Sequence, residues 1–260
     1  MHKQITRYLK FSDKGTREKN QDCMACYIIE DDIAVRSKEI GELFILSDGM
    51  GGHKAGKEAA EEVCHFIYDE YYCKKTKPDF NTPDHVLKHL KTIAEKINDH
   101  LLEKAMRDES LSNWGCTASA LIIKPPYYYI LHTGDTRIYL LRNKKSTLLT
   151  EDHNVAFQMY KLKKLSYEKY LKSKGHNKLL SHFGMKQGIS IQTNFGELQN
   201  NDNFLICSDG LNQFMQFQDV DNVLKEQNDS FQSLYDTLKT DIIQTHKAKD
   251  NVSFLIVNFI

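Results

Sequence analysis

Two apolar runs far apart in the chain end in the same tripeptide: Leu43–Asp48 reads LFILSD before Gly49, and Phe204–Asp209 reads FLICSD before Gly210. Each is a short continuous apolar run bounded by a turn signal, the pattern of a buried strand that delivers one aspartate at its tip. The glycine lets the backbone swing away at once, or lets a ligand approach closely. Two other segments have this shape in reverse. Asp135, in HTGDTR, precedes an expected strand Ile138–Leu141, and Asp250, in KDNVS, precedes Phe254–Phe259. Four aspartates at strand ends, drawn from four distant segments, form a set of hard oxygen donors suited to divalent cations. That points to an enzyme.

Charge and composition narrow the class. Lys+Arg and Asp+Glu balance at 35 each, so no global field recruits nucleic acid or an anionic membrane, and neither is expected as a partner. The N-terminus MHKQITRYLK lacks an apolar signal core, and no apolar run approaches the ~20 residues needed to cross a bilayer. A cytoplasmic monomer is the expectation. With 260 residues, 40% of them hydrophobic, and neither linker nor tandem repeat, a single domain over 1–260 is the economical reading.

Several familiar chemistries are absent or misleading. Gly51–Lys57, GGHKAGK, satisfies the P-loop spacing between a strand and a helix, but residue 58 is glutamate where magnesium binding needs Ser or Thr. A carboxylate there would repel phosphates. Cys23-Met-Ala-Cys26 matches CxxC, yet DCMACYIIE alternates like a strand, which puts the two thiols on opposite faces. Cys64, Cys73, Cys116 and Cys207 read as small core residues. No cysteine has an arginine at the Cys-x₅-Arg offset of thiol phosphatases, and the Gly-x-Ser-x-Gly elbow is missing.

The remaining pattern predicts strands over Ile5–Phe11, Cys23–Glu30, Thr117–Ile123, Tyr127–Leu131, Ile189–Gln192 and Phe204–Cys207. Helices are predicted over Lys57–Tyr72, Asp84–Arg107, Asp219–Lys225 and Phe231–Thr245. Val155–Ser181, lysine-rich and without a β pattern, reads as a peripheral, mobile insertion of one or two short helices. Asp152-His153 is placed to cap the helix that follows. Trp114, Cys116 and Tyr127–Tyr129 read as core or sheet-face packing.

The coherent chemistry is a two-metal hydrolase, in which cations ~3.5–4 Å apart share a water and aim it at phosphorus without a side-chain nucleophile. The substrate phosphate then needs a fixed cation, and Arg17, in the turn before Asp22, is the candidate because its fork matches two phosphate oxygens.

At this point an ordered set of motifs stands out: Arg17…Gln21-Asp22, Ser47-Asp48-Gly49-Met50-Gly51-Gly52-His53, Gly115-Cys116-Thr117-Ala118, Gly134-Asp135-Thr136-Arg137, Leu149-Thr150-Glu151-Asp152-His153, Ser208-Asp209-Gly210-Leu211 and Asp250-Asn251. The set resembles the metal-dependent serine/threonine protein phosphatases of type 2C (the PPM family), in its bacterial branch, from about Arg17 to the C-terminus. The resemblance implies an α+β fold, a four-layer α-β-β-α sandwich of two antiparallel sheets flanked by helices, with the metal centre at one edge and Val155–Ser181 as a flap beside it. It implies Mn²⁺ or Mg²⁺ as cofactor, two ions and a third, weaker one. Asp48 would bridge two ions, with the Gly49 carbonyl completing one site. Asp209 and Asp250 would hold the first metal, Asp22 would support the other side, and Asp135 with Asp209 would hold the third ion. Arg17 would bind phosphate. Phosphorylated proteins are the implied substrates, with a cognate serine/threonine kinase as counterpart.

Three departures accompany the match. Gln21 stands where many members have glutamate, which removes one negative charge beside the metals. Thr136 replaces a serine and keeps the hydroxyl. Met50 occupies the position of a histidine suited to protonating the leaving alkoxide, with His53 as the nearby substitute. Gln21 and Met50 leave a catalytically weak pseudophosphatase, acting as a binding module, as the alternative reading.

Overall fold

The structure, a computed structural model, describes residues 6–28, 40–51, 55–73, 79, 81–111, 113–212, 231–245 and 248–260. Among these residues ten strands form two five-stranded antiparallel sheets. The first sheet contains β1 (Thr6–Asp13), β6 (Arg137–Arg142), β7 (Lys145–Leu148), β9 (Asn203–Cys207) and β10 (Val252–Phe259), in the order β1-β10-β9-β6-β7. The second contains β2 (Asp22–Tyr27), β3 (Glu42–Met50), β4 (Gly115–Lys124), β5 (Tyr127–Thr133) and β8 (Gln192–Glu197), in the order β2-β3-β4-β5-β8.

The helices are α1 (Ala55–Tyr68), which runs into a π-helical turn over Asp69–Cys73, α2 (Pro83–Arg107), α3 (Val155–Lys161), α4 (Tyr167–Leu171), the single turn α5 (Asp209–Asn212) and α6 (Phe231–Thr245). Thr82 caps α2 by accepting from the His85 N–H, and Pro83 opens its first turn, where a missing N–H costs nothing.

Strand alternation builds three apolar layers. On β3, Phe44 and Leu46 face Ile138, Leu140, Phe204, Ile206, Leu255 and Val257 of the other sheet. Leu43 and Ile45, one residue out of phase, pack with Val63 and Ile67 of α1 and Leu90, Ile93 and Ile97 of α2. On the far side, Leu205, Cys207, Phe254 and Ile256 pack with Leu234 and Leu238 of α6. The central strands are thus covered on both faces, which is why LFIL and FLIC are continuous apolar runs. At about 1.5–3 kcal/mol per buried large apolar side chain, this layering dominates the fold's stability. The result is the α+β sandwich of antiparallel sheets with helices on both outer faces.

Some expectations need correction. The strand expected at Ile189–Gln192 lies at Gln192–Glu197, and β7 was not foreseen. Both are edge strands with mixed, half-exposed sequences, so their apolar pattern is weak. Cys73 is exposed at the end of the π turn rather than in the core. Cys23 packs on the helix-side layer and Cys26 on the inter-sheet layer, as strand alternation requires. Trp114, Cys116, Tyr128 and Tyr129 are buried. The helix expected at Asp219–Lys225 lies outside the described residues.

Candidate metal centre and phosphate site

The antiparallel register brings the aspartates to one end of the sandwich. Asp48, near the end of β3, stands opposite Asp22 on β2 and Thr117 on β4. In the other sheet Cys207 pairs with both Phe254 and Arg137. Asp209 just after β9, Asp250 just before β10 and Asp135 just before β6 therefore emerge at neighbouring strand ends. The two sheets' ends meet around a cleft of about 370 Å³ lined by Arg17, Gln21, Asp48, Gly49, Asp135, Asp209 and Asp250. Asp22 lies directly behind, buried against Asp48.

The glycines after the two strand-tip aspartates serve close packing. A Cβ on Gly49 would overlap the Gly56 carbonyl oxygen, and one on Gly210 would overlap the Asn251 carbonyl oxygen. Neither residue has a positive φ, so backbone crowding rather than turn geometry requires glycine. The same holds for Gly56 of the P-loop-like segment, packed against Gln21 and Gly49. Gly134, in contrast, has φ +108°, which allows the sharp turn before Asp135.

The site's electrostatics are those of carboxylates crowded out of water. Burial, followed by the charges of Asp22, Asp209, Asp135 and Asp250, holds the Asp48 carboxyl well above the usual range. Burial and Asp209 do the same to Asp135. Asp209 is pushed up to about 6 by burial and then by Asp250. Asp22 also reaches about 6, by burial, with Asp209 adding to the effect and the Ser253 and Ser208 hydroxyls opposing it. Among the described residues, neither buried Asp22 carboxylate oxygen nor the buried Thr117 hydroxyl has a partner within hydrogen-bond geometry. Carboxylates that repel one another, and a buried carboxylate left unsatisfied, fit hard divalent cations as the missing partners. Among the described residues no three acidic, histidine or cysteine side chains close a cation site by themselves. The donor set is thus a cleft wall.

Arg17 Nη2 donates to Asp250 Oδ2 at 2.7 Å, and its side chain remains 59% exposed on the open side. Asp250, then Asp209 and Asp48, raise the Arg17 pKa further above its ordinary value. Gln21 donates its side-chain amide to the Gly51 carbonyl at 3.2 Å, bracing the loop after β3. Met50 lines the cleft, and His53 lies outside the described residues.

Three roles were missed by sequence reasoning. Buried Asn251 accepts from the Gln21 N–H and donates to the Lys14 and Lys19 carbonyls, so it fixes the turn that carries Arg17. Asp152 does not cap the following helix; Asn154 does. Asp152 instead forms a buried two-pronged ion pair with Arg137, at 2.8 and 2.6 Å. His176 and Asn177, from the flap, line the cleft. The Asp-His-Asn run offers two residues of cap-forming type, Asp152 and Asn154, so local propensity could not choose between them.

Comparison with known proteins agrees with this fold. The family model for protein phosphatase 2C matches residues 27–250. The serine/threonine phosphatase stp of Listeria welshimeri is 28% identical over 225 residues, 85% of this chain and 86% of that protein. The solved Streptococcus agalactiae serine/threonine phosphatase superposes with a TM-score of 0.82 at 24% identity, over 98% of this chain and 100% of that one. The catalytic domain of the serine/threonine protein phosphatase PstP, solved in complex with two manganese ions, superposes with a TM-score of 0.78 at 21% identity, over 99% of this chain and 100% of that one. The chain belongs to the protein phosphatase 2C family.

Proposed function

We propose that this chain hydrolyses phosphoserine and phosphothreonine in proteins by in-line attack of water on phosphorus, without a phosphoenzyme intermediate. One observation carries the reading: Arg17 shares a single cleft with Asp48, Asp135, Asp209 and Asp250, and no cysteine lines it. Mn²⁺ or Mg²⁺, two ions and a third, weaker one, would when bound supply Lewis acidity and lower the pKa of the attacking water. Asp48 would bridge the two ions, aided by the Gly49 carbonyl, while Asp209 and Asp250 would hold one of them. Asp22, buried and without a hydrogen-bond partner among the described residues, would support the other side, and Asp135 with Asp209 would hold the third. The PstP domain, which has the same fold and was solved with two manganese ions, is consistent with a two-ion reading.

Arg17 would orient the phosphate. One of its N–H groups is committed to Asp250, which holds the guanidinium at the cleft rim with the side chain still 59% exposed and open to phosphate oxygens. The single-domain organisation over 1–260 is part of the same reading, and a serine/threonine kinase would be the natural source of its substrates.

The test is release of phosphate from a phosphothreonine peptide with Mn²⁺, with Mg²⁺ and with chelator. Cation-dependent release supports the reading. Cation binding by calorimetry without turnover would instead make the chain a binding module.

A further inference from the structure

Among residues 155–181 there are seven lysines and one acidic residue, Glu168, while the chain as a whole is neutral. All seven lysines are exposed. Lys161 pairs with Glu151, and the other six have no carboxylate partner among the described residues. A surplus of six positive charges concentrated on one short segment is a local field that the overall charge balance conceals.

The segment is held against the sandwich. Tyr170 of α4 is buried, and Arg137 Nη2 donates to its hydroxyl at 3.2 Å. Arg137 is itself locked by Asp152. The Val155 N–H donates to the Lys178 carbonyl, and the Leu180 N–H to the His153 carbonyl. Tyr170 stacks on Tyr160 and meets the His176 ring edge-on at 4.8 Å, giving the flap a small aromatic core. Fixed this way, the one-turn 3₁₀ helix Lys174–Asn177 presents His176 and Asn177 to the cleft, with Lys174 opening the turn and Lys178 following it.

We infer that this lysine-rich segment selects acidic phosphoprotein segments, in which the phosphorylated residue is flanked by Asp, Glu or further phosphorylated residues. The inference rests on the phosphatase reading of the cleft. An extended substrate advances about 3.3–3.6 Å per residue, so side chains a few positions from the phosphorylated residue would come within reach of the stretch from Lys172 to Lys178, whose His176 and Asn177 line the cleft. The cleft's carboxylates oppose the approach of an acidic peptide, and the surplus of positive charge on the adjoining segment offsets that repulsion. Adjacency to the cleft favours a phosphoprotein over a nucleic acid or a membrane as the occupant.

The test compares two phosphothreonine peptides, one with acidic and one with neutral flanks, by kcat/KM with Mn²⁺ and by fluorescence anisotropy without it. The wild type should favour the acidic peptide by about tenfold or more at low ionic strength, with the margin shrinking as salt rises. Combining Lys172→Gln, Lys174→Gln and Lys178→Gln should bring the ratio toward one. A wild-type ratio near one, or a ratio that survives the three substitutions, overturns the inference. So does tighter binding of a DNA oligonucleotide or a phosphatidylserine vesicle than of the acidic peptide, which would reassign the face. Failure to hydrolyse p-nitrophenyl phosphate would refute the phosphatase reading separately, and the anisotropy ratio would still decide the role of the lysines.

Discussion

Arg17 and Asp250, 233 positions apart in sequence, form an ion pair at 2.7 Å across the rim of the carboxylate cleft. The pair joins the residue expected to grip phosphate to one expected to hold a cation. Asn251, next to Asp250, pins the same turn from below through the Lys14 and Lys19 carbonyls. The proposed cation and phosphate sites thus share one small piece of backbone.

Arg17→Ala should lower kcat/KM for a phosphopeptide by about 10–100-fold, because hydrogen bonds to a charged group contribute about 1.5–3 kcal/mol. Arg17→Lys should recover only part of this, since a point charge cannot match two phosphate oxygens. Steady-state kinetics on both variants checks the order wild type, lysine, alanine.

Asp152→Ala would leave the Arg137 guanidinium buried without its counter-charge. Breaking a buried pair costs about 3–5 kcal/mol, so the midpoint of urea unfolding should fall substantially. Tyr170→Phe removes only the hydroxyl that meets Arg137 and should cost about 1 kcal/mol. An exposed pair such as Arg107–Glu103 should give almost nothing in the same assay.

Gly210→Ala should destabilise the protein by about 1–3 kcal/mol, the usual cost of forcing extra atoms into packed structure. The colliding atom is the Asn251 carbonyl oxygen, a backbone atom that cannot swing aside. Gly188→Ala, where a Cβ meets nothing within 4 Å but φ is +88°, separates backbone strain from crowding. Equal urea midpoints for wild type and Gly210→Ala would contradict the crowding account.

His132 is fully buried between the Ser119 hydroxyl and the Glu151 carbonyl. Burial, then the neighbouring His153, lowers its pKa to about 3. A group whose folded pKa lies below its unfolded value contributes stability that is present above about pH 6.5 and lost as pH falls toward 3. Asp22 and Asp209, raised to about 6, act with the opposite sign, their contribution being lost as pH rises through that value. The observable is therefore a difference: wild type minus His132→Gln stability should fall by up to about 1.4 kcal/mol per pH unit below 6.5. A pH-independent difference in denaturant unfolding would count against it.

Much of this architecture was legible in the residues, and what was hidden has identifiable causes. LFILSD and FLICSD announced doubly covered strands because helices on one side and a second sheet on the other leave no polar face. The edge strands β7 and β8 lack that constraint, so their sequences carry little periodicity. The strand-tip aspartates were readable from their place at the ends of apolar runs. Asn251, Asp152 and His176 were not, because their roles depend on partners far away in sequence or on where an insertion folds back. The reason for glycine at 49 and 210 was also hidden, since nothing local reveals which backbone will press against it.

The central claim is that the aspartates hold the cations that drive hydrolysis. Manganese stoichiometry and phosphothreonine-peptide turnover, measured on the same samples of wild type and Asp209→Asn, test it most directly. At least two ions and cation-dependent turnover are expected in the wild type, with ion occupancy and turnover lost together in the variant. Undiminished turnover in Asp209→Asn, or turnover in the wild type that survives chelation, would contradict it.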